Sequence, residues 1–114
     1  MAYDTDLVER IRELLASQSG SGSRVDEKRM FGGLAFLIGG HLAVAASGQG
    51  GLLVRVPPED TDRLLGRAHV SPMVMAGRET RGWLRIAADG VRTKRQLQGW
   101  VTCAANYVAS LPAK

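Results

Sequence analysis

The sequence predicts an α+β domain of two layers, an antiparallel sheet with helices packed on it. Three observations carry this prediction. Gly39-Gly40 separates two apolar runs, residues 34–38 and 41–46, which is the pattern of a tight hairpin. Helical periodicity is confined to the two ends of the chain and one short middle segment, so helices and strands are segregated. The chain has 114 residues, of which 45% are hydrophobic, with a net charge of +4. Residues 1–114 therefore form one domain, with a core that needs neither disulfide nor metal.

The elements follow in order. In "DTDLVERIRELLAS", Leu7, Ile11, Leu14 and Leu15 recur at helical spacing, and Glu9, Arg10, Arg12 and Glu13 fill the other face. "QSGSGS", residues 18–23, ends the periodicity and reads as a loop. Gly32-Gly33 precedes the first apolar run and reads as a β-bulge. With Gly39 and Gly40 central in the hairpin, Ile38 faces His41, Leu37 faces Leu42, Phe36 faces Ala43, Ala35 faces Val44 and Leu34 faces Ala45. Both faces of this hairpin are apolar, so both need cover. Helices cover one; another helix or a second copy of the chain covers the other, with Leu53 and Trp83 on the uncovered side.

"SGQGG" turns the chain into a third strand, "LLVRV", and Pro57-Pro58 ends it. "EDTDRLL" is a short helix with acids at its start and Gly66 at its stop. "VSPMVM" reads as an edge strand, because Pro72 cannot donate to a central ladder. "RGWLRIAA" is the next strand. Thr93 and Gln96 form a capping-box pattern that opens the last helix, with a buried stripe of Leu97, Val101, Ala104, Val108 and Leu111. The expected order is α-β-β-β-α-β-β-α.

These residues, taken together, resemble a known family. "KRMFGGLAFLIGGHLAV", "LLVRVPPE", the series Pro72-Met73, Gly77-Arg78, Gly82-Trp83, and the closing "SLPAK" are similar to the N-terminal domain of TfoX/Sxy proteins. The resemblance spans roughly residues 3–112. It implies a fold similar to that of secretion chaperones, which often dimerise, and a regulatory role of the kind found in natural competence. Full-length members carry a second, C-terminal domain. The resemblance brings no catalytic residue with it.

Candidate sites are few. The glycines match neither a dinucleotide-binding nor a P-loop spacing, so no cofactor is expected, and Gly32, Gly33, Gly39 and Gly40 are read as turn or bulge residues. His41 and His69 are the only histidines and have no partner at metal-binding spacing. The single cysteine, Cys103, excludes an internal disulfide and reads as structural. No Ser/His/Asp set, carboxylate pair or metal cluster is apparent, so an enzyme is not expected. Without an apolar run of membrane-span length or a signal-peptide pattern in residues 1–16, the expected location is the cytoplasm, away from membranes.

Charge is the one strong asymmetry. Arg78, Arg81, Arg85, Arg92, Lys94 and Arg95 stand against Glu79 and Asp89, while the rest of the chain carries nine residues of each sign. Lys94 and Arg95 open a helix, where positive charge opposes the dipole. Arg81, Trp83 and Arg85 alternate along one strand. These seven residues are the candidate surface for an acidic protein partner or another anion. The leading expectation is a non-enzymatic regulatory or adaptor domain, homodimeric and acting through an unidentified protein partner. The alternative is a weak nucleic-acid or anion binder using residues 78–95.

Overall fold

The computed structural model describes residues 5–18, 25–30, 32–48, 50–75 and 77–111, with the side chains of residues 18, 75 and 79–81 outside that set. The apolar stripe of the first segment forms α1 (Thr5–Gln18), and Leu7, Val8, Ile11, Leu14 and Leu15 are all buried. Six strands follow: β1 (Val25–Met30), β2 (Gly33–Ile38), β3 (His41–Ala46), β4 (Leu52–Arg55), β5 (Val70–Met75) and β6 (Arg78–Ile86). They make one antiparallel sheet in the order β1-β2-β3-β4-β6-β5. Between β4 and β5 a 3-10 turn at Pro58–Asp60 leads into α2 (Thr61–Leu65). A second 3-10 turn, Ala88–Gly90, precedes α3 (Lys94–Ala109).

The expected α+β order is present, with one strand added in front of it. β1 reads VDEKRM, too charged to show an apolar period. It forms because β2 offers it a full ladder, from Val25 opposite Ile38 to Met30 opposite Gly33. Charged side chains suit a sheet edge, where they discourage pairing with other chains. Arg12 of α1 holds the strand from the helix side, donating from Nε and Nη2 to the two carboxylate oxygens of Glu27, both at 2.7 Å. β5 is the opposite edge, where Pro72 costs no central hydrogen bond.

The Gly39-Gly40 hairpin is as expected: both residues have positive φ, +60° and +86°, and join Ile38 to its partner His41. The register beyond Leu37 and Leu42 differs from expectation. Phe36 pairs with Val44, Ala35 with Ala45 and Leu34 with Ala46, so Ala43 is an extra residue in β3. This bulge moves Val44 to the face of Phe36, where both are fully buried. An unbroken apolar run carries no mark of such a shift. Gly32 and Gly33 lie at the β1–β2 connection and not at a bulge inside a strand. A Cβ on Gly33 would sit 1.8 Å from the Ala46 carbonyl oxygen, so the chains approach there as only glycine allows. Phe31, beside them, lies outside the described residues.

The two sheet faces carry two clusters. The larger joins Phe36, Val44, Leu52, Val54, Leu84 and Ile86 to buried residues of α1, α2 and α3. The smaller consists of Ala35, Ala45, Leu53 and Met73, with Met30, Leu42 and Trp83 packed against it. Every member of this second cluster comes from a strand. Helices therefore cover one face, and Leu53 and Trp83 do lie on the other.

Candidate functional site

The basic residues of 78–95 follow one another in sequence, but the fold separates them. Arg78 starts β6 at its pairing with Met75 and is exposed. Arg85 stands near the other end of that strand, and a nine-residue strand spans about 26 Å. Its guanidinium is engaged by the β3–β4 connection: Nη1 donates to Ser47 Oγ at 3.0 Å and Nη2 to the Gly50 carbonyl at 2.9 Å. Trp83 is half-buried in the strand-only cluster. Between Arg81 and Trp83, Gly82 has φ +90°, and the ladder to β5 shifts register opposite this stretch. The simple alternation expected to align Arg81 with Trp83 and Arg85 is therefore interrupted. The side chain of Arg81 lies outside the described residues.

Beyond β6 the charges diverge again. Arg92 is exposed and ion-paired with Asp89, while its carbonyl accepts from Arg10 Nη2 of α1 at 3.1 Å. The Thr93–Gln96 capping box is complete: Thr93 Oγ1 accepts from the Gln96 amide at 3.1 Å, and the Thr93 amide donates to Gln96 Oε1 at 3.0 Å. Lys94 lines a cleft between α1 and α3 of about 300 Å³, in the company of Arg10 and Glu13. Arg95 lines a different, wider groove of about 510 Å³ on the other side of the α3 N-terminus. Here two further basic side chains, Arg67 and His69 from the α2–β5 connection, join Arg95, and no carboxylate is among the described lining residues. Arg67 lies over the Trp100 ring, 4.7 Å from its centroid. These two partners lie outside the basic run, and a lone arginine after a helix stop gave no signal of their convergence.

The other titratable candidates show no convergence. His41 is buried beside the hairpin turn, and His69 is exposed. Cys103 is half-buried in α3, and burial, with the nearby Asp60 charge, pushes its thiol above the ordinary value. That is the opposite of thiolate activation. Among the described residues no three His, Cys, Asp or Glu side chains come close enough to hold a metal ion, and no described helix is long and apolar enough to cross a membrane.

The molecule is thus a small α+β domain with one helix-covered sheet face and one face to which, among the described residues, strands alone contribute the apolar cluster. The chain belongs to the TfoX N-terminal domain family, whose model matches residues 13–107. No curated protein and no solved structure matches the chain.

Proposed function

We propose that this chain is a non-enzymatic regulatory or adaptor domain that acts in the cytoplasm through protein–protein contacts, in transcriptional or competence-like regulation, and that it works as a homodimer. The observation that carries this reading is the strand-only cluster, in which Leu42, Trp83 and Met30 remain partly exposed around Leu53 and Met73. A sheet with helices on one face and apolar residues on the other gains by covering the second face. Six strands at about 4.8 Å spacing give a surface roughly 24 Å wide, broad enough for a specific contact. A two-fold axis through that face sets the same apolar residues against their own copies, as an isologous dimer requires.

Light scattering on the purified chain tests the reading. The expected mass at micromolar concentration is twice the 12.2 kDa of the chain, falling to 12.2 kDa in Leu42→Lys. A parent protein that stays at 12.2 kDa across the accessible concentrations contradicts the dimer and removes the main support for a contact-based function.

A further inference from the structure

We infer that the groove between the α2–β5 connection and the start of α3 is a binding site for a phosphate monoester group, held by Arg67 and Arg95. This site is separate from the strand-only face. Arg67, His69, Arg95, Gln96, Gly99 and Trp100 line it, and no carboxylate is among its described lining residues. The groove measures about 510 Å³, a usual size for a small-molecule site.

Charge and placement argue for the ligand. Arg95 is exposed in the first turn of a sixteen-residue helix, where it opposes the positive dipole end, and that turn holds no acid. An anion seated in the groove turns this unfavourable position into a favourable one, since it meets the cation and the helix end together. Arg67 reaches the same groove stacked on Trp100, so its planar fork is already oriented. Two guanidinium groups match the charge of a phosphate monoester, about −2 at neutral pH, and can bind its oxygens bidentately. His69 and Gln96 add polar side chains at the rim.

The same geometry argues against a nucleic-acid track. A phosphodiester chain needs cations in a row, whereas Arg78 lies at the far end of β6 and the Arg85 guanidinium, although its strand runs beside His69, is engaged with Ser47 and Gly50. Base stacking is also closed off, because Trp100 is 6% exposed and its ring is covered by Arg67.

The test is an amide NMR titration with inorganic phosphate, with glycerol phosphate, and with chloride at matched ionic strength. Saturable shifts confined to residues 67–69 and 94–100 are expected with both phosphates and not with chloride. Arg95→Gln should weaken the binding by about tenfold or more, the scale of a lost charged hydrogen bond. Arg67→Gln should do the same, with circular dichroism to check its fold. Arg78→Gln should leave the affinity within about twofold, as the site lies elsewhere. Preference for glycerol phosphate marks an esterified ligand, and equal affinity marks the phosphoryl group alone; both support the site. Identical shifts in chloride overturn it, as does an affinity unchanged in Arg95→Gln. Tight binding of a single-stranded oligonucleotide that Arg78→Gln weakens as much as Arg95→Gln also overturns it, in favour of a nucleic-acid surface.

Discussion

The two faces of the sheet are made by the same strands but differ in what encloses them. On the helix side, Phe36, Leu52, Val54, Leu84 and Ile86 are fully buried because α1, α2 and α3 contribute their own apolar stripes to the same cluster. On the reverse side, Ala35 and Ala45 are hidden by larger neighbours on adjacent strands, while Leu42, Trp83 and Met30 keep part of their surface in water. The first face accounts for the stability of the chain. The second leaves part of Leu42, Trp83 and Met30 exposed, and it is the surface to which the proposed contact is assigned.

The comparison breaks most readily at its centre. Phe36→Ala removes a fully buried ring from the helix side and should lower the unfolding free energy by about 3–5 kcal/mol in urea denaturation. Leu42→Ala on the reverse face, measured on the monomer, should cost about 1 kcal/mol, since part of its side chain is already in water. Equal costs would mean that the reverse face is a core in its own right, with nothing left over for a partner.

A smaller effect sharpens the helix side. The hydrogen bonds from Arg12 hold the Glu27 carboxyl below its ordinary value. The folded chain therefore gives up that proton more readily than the unfolded one. The resulting stabilisation is fully present above the unfolded carboxyl's pKa, about 4.3, and is lost as pH falls through the lower folded value. Glu27→Gln should reduce the urea midpoint slightly at neutral pH, and the gap from the parent should close in acid. A gap that persists unchanged to about pH 2 would show that the pair between α1 and β1 does not depend on that charge.

Much of this architecture was legible where a residue type has one strong local meaning. Gly39-Gly40 announced the hairpin because both positions need positive φ, Pro72 marked the edge strand, and Thr93 with Gln96 marked the start of α3. The two-sided apolar pattern of the hairpin likewise pointed to apolar residues on both sheet faces, where the two clusters lie. What was not legible depends on partners distant in sequence. β1 is a strand because β2 pairs with it, against its own composition. The Ala43 bulge leaves no trace in a run that is apolar on both sides. The basic segment looked like one surface because its members are sequence neighbours. A nine-residue strand, the bulge region at Gly82 and the turn at Ala88–Gly90 carry them to different places. Arg67 joins Arg95 only through the packing of the α2–β5 connection beside α3.

The most direct test of the strand-only face as the contact surface is an isotope-filtered NOE experiment on a mixture of labelled and unlabelled chains. The account predicts intermolecular contacts from the methyl groups of Met30, Leu42 and Met73 and from the Trp83 ring. Intermolecular contacts arising instead from residues of α1 or α3, with none from those four, would contradict it.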